Sequence, residues 1–307
     1  MRIVVALGGN ALLHRGERPD ADVQQANIER VATSIATLAH EHEIVLTHGN
    51  GPQIGLLAME SAADPALSAP YPLDLLGAQT EGMIGSLLAR TLHNALPGRR
   101  VAALVTHTLV RADDPAFGRP TKFVGQVYPR DVARALARKR GWHIAKDSTG
   151  WRRVVPSPAP ERIVETDTVQ ELLGGGALVI CAGGGGVPVT ADHDTGALTG
   201  VEAVVDKDLT AALLAEDLKA DFLLILTDVP CVYTGYGTPD QHPVVDATPQ
   251  DLRRAAFAAG SMGPKAEACA RFVERTGGLA AIGALDAAHE IVHGRAGTLV
   301  RPDLAVG

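Results

Sequence analysis

Three glycine-rich segments each follow a short apolar run, and backbone of this kind is suited to binding anions. They are Gly8-Gly9-Asn10 after residues 3–7, residues 48–52 (HGNGP) after residues 44–47, and the four glycines at 183–186 after residues 177–181. Glycine lets backbone N–H groups approach an anion closely, and a helix N-terminus adds positive potential. Each segment taken alone is better explained as a tight turn. Three of them at equivalent strand ends predict an anion site.

None of these segments is a standard nucleotide-binding motif. The chain has no GxxxxGK[ST] sequence, which excludes a P-loop, and residues 49–55 are one residue too long for GxGxxG and contain Pro52. There is also no GxSxG, so a serine hydrolase would lack its nucleophile elbow. The sequence therefore predicts a phosphate cradle of another kind.

Three lysines stand where an anion would compensate their charge. Lys207 and Lys265 each fall in the first turn of a predicted helix, where the helix dipole opposes a cation, and Lys122 lies among apolar residues. Fixed positive charges of this kind stabilise the transition state of phosphoryl transfer. Asp208 is placed to orient the lysines, or is a simple first-turn acid. Each lysine taken singly also fits a solvated surface charge.

Residues 289–293 read HEIVH and satisfy the HExxH pattern of zinc metalloproteases. A third ligand is needed, and the fourteen residues that follow contain no His or Glu and one acid, Asp303. Gly294 would end the helix directly after His293. We expect the polar face of a short terminal helix and no metal site, although an upstream third ligand stays open.

Short apolar runs alternate with helical patterns and would position these residues. The runs at residues 3–7, 44–47, 101–110, 177–181, 222–227 and 279–285 are mostly continuous, as in strands covered on both faces. This alternation predicts a doubly wound α/β sheet. Residues 113–160 interrupt it with six prolines and both tryptophans, which predicts an inserted subdomain.

Composition excludes several function classes. Of 307 residues, 46% are hydrophobic and 21% charged, an ordinary globular balance. The net charge is −7 and aromatic residues make up 4%, which argues against a nucleic-acid partner. No apolar stretch approaches the roughly 20 residues of a membrane span. Three widely spaced cysteines match no metal spacing and favour a reducing cytoplasm.

Seven blocks together resemble the carbamate kinases, a branch of the amino-acid kinase superfamily. In chain order they are VALGGNA (5–11), THGNGPQ (47–53), PTK (120–122), WRRVVPSP (151–158), CAGGGGVP (181–188), GVEAVVDKD (200–208) and GSMGPK (260–265). The resemblance implies a three-layer α/β/α sandwich with a mainly parallel central sheet and an inserted protruding subdomain. It also implies a homodimer that acts on carbamate or carbamoyl phosphate.

The resemblance also implies a division of labour along the chain. Residues 1–205 would bind carbamate or carbamoyl phosphate, with the protruding subdomain inserted at about 113–160, and residues 206–307 would bind ATP or ADP. Mg²⁺ would bridge the nucleotide phosphates. The reaction that the resemblance implies is reversible phosphoryl transfer, ATP + carbamate ⇌ ADP + carbamoyl phosphate, often run toward ATP during arginine or purine breakdown.

Residue roles follow from the same matches. Lys122, Lys207 and Lys265 would stabilise the transferred phosphoryl group, and Asp208 would organise the lysines. Substrate and phosphoryl oxygens would be held by Gly8, Gly9, Asn10, Gly49, Asn50 and Gly51. The nucleotide would be bordered by Thr227, Asp228, Tyr233, Tyr236, Met262 and Lys265.

Two alternatives remain beside a carbamate kinase. One is a kinase of the same fold that acts on another small carboxylic acid, and the other is a nucleotide sensor without catalysis, against which the three intact lysines argue. Gly235 and Thr238 stand where the family commonly has Asn and Lys. Both positions fall near the expected nucleotide edge, so they bear on nucleotide affinity.

Overall fold

The computed structural model describes residues 1–14, 16–147, 150–255, 257 and 262–303, with the backbone alone at residue 10. The strands are β1 (Arg2–Leu7), β2 (Glu43–His48), β3 (Val101–Ala103), β4 (His107–Val110), β5 (Lys122–Tyr128), β6 (His143–Lys146), β7 (Trp151–Val155), β8 (Pro160–Ile163), β9 (Leu178–Ile180), β10 (Val187–Ala191), β11 (Leu198–Gly200), β12 (Phe222–Thr227), β13 (Val232–Thr234), β14 (His242–Val244), β15 (Asp246–Ala247), β16 (Leu279–Ala284) and β17 (Thr298–Val300).

The helices are α1 (Gly9–Leu12), α2 (Ala21–Glu41), α3 (Gly51–Ala63), α4 (Leu73–Ala95), α5 (Arg130–Arg140), α6 (Thr166–Gly174), α7 (Lys207–Asp217), α8 (Pro249–Arg254), α9 (Met262–Thr276) and α10 (Ala288–Val292). Short 3₁₀ turns lie at Pro115–Gly118, Gly183–Gly185 and Leu285–Ala287.

The central sheet is large and mainly parallel, as the sequence predicts. Its strand order is β15-β17-β16-β12-β1-β2-β9-β3 in the described part of the chain. Every pairing in it is parallel except β16 with β17. The carboxyl ends of β1, β2 and β9 therefore meet at one edge, and that edge carries the glycine-rich segments.

Helices cover both faces of this sheet and produce three layers. Along β1, Ile3, Val5 and Leu7 pack with α2, α4 and α10 on one face. Val4 and Ala6 pack with α6, α7 and α9 on the other face. Because side chains alternate across a strand, a run that is apolar at every position is buried on both sides. The α/β/α sandwich predicted from the sequence is confirmed.

The apolar run at residues 101–110 differs from its prediction as one strand. It forms β3 in the central sheet and β4 in a second sheet, whose order is β11-β10-β4-β8. Between them, the backbone N–H of Thr106 donates to Glu81 at 3.0 Å, and the carbonyl of Thr106 accepts from Val187. These contacts turn the chain from one sheet into the next.

The proline-rich middle of the chain builds a small sheet of its own. Strands β5, β7 and β6 pair antiparallel in that order, and α5 packs against them. This unit falls within the predicted insertion. None of the described helices is both long and apolar enough to cross a membrane.

Candidate active site

The three predicted lysines converge on the first turn of α7. Lys207 is its first residue, and its ammonium contacts the carboxylate of the next residue, Asp208. Lys265 reaches the other oxygen of Asp208 from α9, at 3.1 Å. Lys122 arrives from β5 of the small sheet and donates to Asp206 at 2.6 Å. We call these five residues the lysine cluster.

The two inner lysines and Asp208 are withdrawn from water. The side chains of Lys207, Lys265 and Asp208 are 11%, 14% and 5% exposed, whereas that of Lys122 is 35% exposed. Burial alone would raise the pKa of Asp208, but the two ammonium groups outweigh it and hold that pKa at about 2. Burial lowers the pKa of Lys207, and the charge of Asp208 opposes that effect. The cluster thus carries an excess of positive charge in a water-poor place.

Asp206 is a member of the lysine cluster that the sequence analysis did not select. It is the N-cap of α7, and its Oδ1 accepts from the backbone N–H groups of Asp208 and Leu209 at 3.0 and 3.3 Å. Its other oxygen receives Lys122. An Asp directly before a helix start is a common N-cap, so the signal was present in the sequence. The second role follows only from tertiary structure.

The first two glycine-rich segments touch each other beside the lysine cluster. A Cβ atom at Gly49 would lie 2.8 Å from the backbone N of Gly9 and 3.4 Å from the side chain of Lys207. No side chain fits there without movement of the backbone. Gly49 is therefore required by the close approach of the two loops.

Not every glycine in these loops can offer its amide to a ligand. The amides of Gly8 and Gly49 donate to the carbonyls of Leu226 and Leu7, each at 2.9 Å, and so continue the sheet. Gly9 and Gly51 are the first residues of α1 and α3, where amides have no partner within the helix. The amides that can face an anion are therefore those at the helix starts.

Of the two asparagines in these loops, the structure describes the side chain of Asn50 and not that of Asn10. Asn50 is buried, and its side-chain amide donates to the hydroxyl of Thr80 at 2.8 Å, so it braces the second loop. The side chain of Asn10 lies outside the described part of the structure, so its predicted contact with substrate stays a prediction.

The third glycine-rich segment packs against the second. Residues 183–186 are buried, and the amides of Gly185 and Gly186 donate to the carbonyls of Ala182 and Gly183. A Cβ atom at Gly184 would lie 2.1 Å from the side chain of Asn50, and the φ of Gly184 is +66°. Only glycine satisfies both constraints. This segment therefore packs tightly against the second loop, and its expected anion contact stays a prediction.

The described geometry matches known proteins along the whole chain. Residues 1–282 match the model of the amino acid kinase family. The carbamate kinase of Rhizobium meliloti (strain 1021) is 51% identical over 98% of this chain and 93% of its own length. That of Escherichia coli (strain K12) is 47% identical over 97% and 98%. This chain belongs to the carbamate kinases of the amino acid kinase family.

Solved structures agree with that assignment. Carbamate kinase from Giardia lamblia bound to citric acid has a TM-score of 0.91 and 36% identity, and covers 98% of each chain. The same protein bound to AMP-PNP has a TM-score of 0.89 and 37% identity, again over 98% of each chain.

A buried pair of titratable residues lies beneath the loops of this carbamate kinase. His48 is 1% exposed, and burial lowers its pKa to about 4, so the ring is neutral at pH 7. Burial raises the pKa of Glu81 to about 8, although Thr106 donates two hydrogen bonds to one of its oxygens. A Cβ atom at Gly183 would meet both side chains. The Nδ1 of His48 lies 3.1 Å from the carbonyl oxygen of Gly49, so His48 braces the loop, and Glu81 gave no sequence signal.

Of the six residues expected at the nucleotide, Lys265 belongs to the lysine cluster, and the other five are not members of it. Thr227 ends β12, and with Asp228 it lines a cleft closed by α2. Tyr233 and Tyr236 face each other with ring centroids 6.0 Å apart, and Met262 begins α9. Among the described residues, no hydrogen bond joins these tyrosines to the lysines. Their predicted nucleotide contacts remain predictions.

The two departures from the carbamate kinase pattern form one turn. Gly235 has φ +59°, and the hydroxyl of Thr238 donates to its carbonyl at 2.7 Å. A Cβ atom at Gly235 would lie 2.6 Å from the carbonyl oxygen of Asp240. Gly235 and Thr238, the two residues that depart from the pattern, therefore contact each other within one turn.

Proposed function

We propose that this protein catalyses the reversible transfer of a phosphoryl group between ATP and carbamate. The observation that carries the proposal is the convergence of Lys122, Lys207 and Lys265 beside the two touching glycine loops. In the catabolic direction, an oxygen of the ADP β-phosphate bonds to the phosphorus of carbamoyl phosphate. The bond from that phosphorus to the carbamate oxygen breaks, and carbamate leaves with the electron pair.

The lysine cluster supplies the fixed positive charge that phosphoryl transfer requires. The transition state spreads negative charge over the equatorial oxygens, and catalysis consists mainly of positioning and electrostatic stabilisation. Lys207 and Lys265 are held at fixed places by Asp208, so their charges need no reorganisation during the reaction. Lys122 comes from the small sheet and would complete the set.

Asp208 acts through the lysines. Its carboxylate accepts from two ammonium groups that are themselves largely buried. Like charges so close would otherwise repel, and burial would favour loss of a proton from Lys207. Asp208 is therefore a positioning residue that holds both ammonium groups in place in the site.

The glycine loops would hold the small substrate. Amides at Gly9 and Gly51 point from helix starts, where partial positive charge favours carboxylate and phosphate oxygens. Gly8 and Gly49 would bring these donors together by their small size, and Asn50 would keep the second loop in place. Asn10 completes this predicted set.

Membership of the family suggests which half of the chain binds the nucleotide and which binds the small substrate. We assign ATP and ADP to residues 206–307 and the small substrate to residues 1–205, with the protruding subdomain inserted in the latter half at about 113–160. The Giardia carbamate kinase bound to AMP-PNP supports nucleotide binding by this chain. Asp206 and Asp208 are already paired with lysines, so Mg²⁺ would be held by the nucleotide phosphates. The nucleotide would be bordered by Thr227, Asp228, Tyr233, Tyr236, Met262 and Lys265.

The setting of the enzyme extends the proposal. We expect a homodimer in the cytoplasm that serves arginine or purine breakdown. The described cysteines are buried and unpaired, which supports a reducing environment. Sedimentation velocity tests the dimer, because a monomer mass at micromolar concentration would contradict it.

The direct test is ATP formation from ADP and carbamoyl phosphate, followed with a coupled reporter enzyme. Acetyl phosphate provides a matched acyl phosphate without the amino group, and a reaction without enzyme corrects for spontaneous decay. We expect kcat/KM to favour carbamoyl phosphate by about tenfold or more, since a polar site discriminates against an analogue that lacks a hydrogen-bonding group. Absence of ATP from carbamoyl phosphate, or preference for acetyl phosphate, would contradict the proposal.

A further inference from the structure

The HExxH residues and a distant glutamate form a second cluster of chemistry-bearing side chains. His289 Nε2 lies 3.8 Å from Glu41 Oε1, and His293 Nε2 lies 3.9 Å from Glu41 Oε2. One ligand atom from each of the three residues lies within 4.8 Å of the others. We call these three residues the histidine cluster. Glu41 is the upstream third ligand that the sequence left open.

A hydrogen bond fixes the orientation of the His293 ring. The Nδ1 of His293 lies 2.8 Å from the carbonyl oxygen of His289. A carbonyl oxygen can only accept, so this Nδ1 carries the proton and Nε2 of the neutral ring carries the lone pair. That lone pair is on the nitrogen nearest to Glu41. Metal-binding histidines are commonly oriented in this way, by a hydrogen bond from their other nitrogen.

The second ring has a similar arrangement. The Nδ1 of His289 lies 3.4 Å from the carboxylate of Glu290, which leaves Nε2 toward Glu41. The two rings are adjacent, with centroids 4.3 Å apart. Rings at positions i and i+4 share one helical face. Both Nε2 atoms thus face one carboxylate.

We propose that Glu41, His289 and His293 bind a divalent transition metal ion of the zinc type. Two imidazole nitrogens and one carboxylate oxygen are a ligand set that suits Zn²⁺. Tetrahedral bonds of about 2.1 Å place ligand atoms about 3.4 Å apart, so a small rotation of the side chains closes the site. Glu41 is the last residue of α2, where the helix dipole also favours a cation.

The site is separate from phosphoryl transfer and does not resemble a hydrolase centre. Glu41 lies two residues before β2, at the opposite end of the sheet from the loop that follows His48. Glu290, the HExxH residue that serves as the base in a metalloprotease, is bound by the guanidinium of Arg295 at 3.0 Å. The metal would instead join the end of α2 to α10 and stabilise the fold by mass action.

Zinc titration of the untagged, chelator-treated protein tests this site by calorimetry, with a melting curve at each concentration. We expect one zinc per chain, with Kd of about 1 μM. His289→Ala and His293→Ala should weaken binding by at least about tenfold, and Glu41→Gln by about tenfold. The matched control is His40→Ala, which removes an exposed histidine of the same helix and should bind like the wild type.

Further readouts keep the test decisive if one variant folds poorly. Zinc should raise the melting temperature of the wild type and of His40→Ala but not of His293→Ala, while kinase activity stays within about twofold in all three. Cobalt should give the visible absorption of a tetrahedral site in the wild type and lose it in Glu41→Gln. The proposal is overturned if the wild type binds no zinc at about 100 μM, or if binding is unchanged in the histidine and glutamate variants.

Discussion

The lysine cluster and the histidine cluster lie at opposite ends of the central sheet and differ in how their charges are held. Lys207, Lys265 and Asp208 are largely buried, and each charge is fixed by an opposite one. His289 and His293 are each 35% exposed, and Glu41 is 52% exposed. The first cluster is preorganised before any ligand arrives, whereas the second would be completed by its ligand. Burial therefore distinguishes a site prepared for a transition state from a site that can be assembled at the surface.

The largest expected effect comes from removal of the central acid of the lysine cluster. Asp208→Asn leaves two buried ammonium groups without their counter-charge, so we expect kcat to fall by about 10³-fold or more. The free energy of unfolding should fall by about 3–5 kcal/mol, as for other broken buried pairs. Steady-state kinetics and urea denaturation measure both quantities.

Asp217→Asn is the control for this variant, because it changes an acid at the far end of α7. It should retain normal turnover. If Asp208→Asn turns over like the wild type, the preorganised character of the lysine cluster is wrong.

A smaller effect is expected where the loops meet. Gly49→Ala places a Cβ atom 2.8 Å from the backbone of Gly9, so the loops must separate. We expect kcat/KM for carbamoyl phosphate to fall by about tenfold to 10²-fold, since small misplacements of binding groups are costly. Gly82→Ala is the control, because an added Cβ meets nothing within 4 Å there. Equal activity of the two variants would show that close approach of the loops is unimportant.

The smallest effect concerns the buried acid beneath the loops and appears as a pH dependence of stability. The pKa of Glu81 is about 8 in the folded protein and 4.5 as its ordinary value. The folded state thus holds a proton that the unfolded state releases, so stability falls as the pH rises from about 4.5 to about 8. Glu81→Gln cannot titrate and should remove this contribution.

Urea denaturation between pH 6.5 and pH 8 measures it. In this window the free energy of unfolding of the wild type should fall with rising pH by up to about 1 kcal/mol per pH unit more than that of Glu81→Gln. His48 contributes little to the pH dependence of stability in this window. Because its pKa is lowered in the folded state, it reduces the free energy of unfolding only as the pH falls below 6.5. Parallel stability curves for the two proteins would mean that Glu81 is ionised in the folded state.

The sequence was most informative where a residue type and its local position were sufficient. The strands of the central sheet followed from continuous apolar runs, and Lys207 was selected because a cation at a helix start needs an anion. Asp206 was accessible by the same reasoning as an N-cap. The motif at residues 289–293 was also visible, but its third partner was not.

The features that the sequence did not predict depend on contacts between distant parts of the chain. Glu41 precedes His289 by more than 200 residues, and only the packing of α10 against α2 brings them together. Glu81 lies within a helix, and nothing local indicates that it is buried under residues 183–186. The amides of Gly8 and Gly49 donate to residues of neighbouring strands, which no local sequence pattern indicates.

The most direct test of the central claim is the turnover of Lys207→Ala and Lys265→Ala with ADP and carbamoyl phosphate at saturation. Lys139→Ala, on the exposed face of α5, is the matched control. Each inner lysine variant should stay folded, because Asp208 keeps one lysine partner. We predict that kcat falls by about 10²–10³-fold in each variant and is unchanged in the control. Wild-type kcat in both inner lysine variants would contradict the assignment of the lysine cluster to phosphoryl transfer.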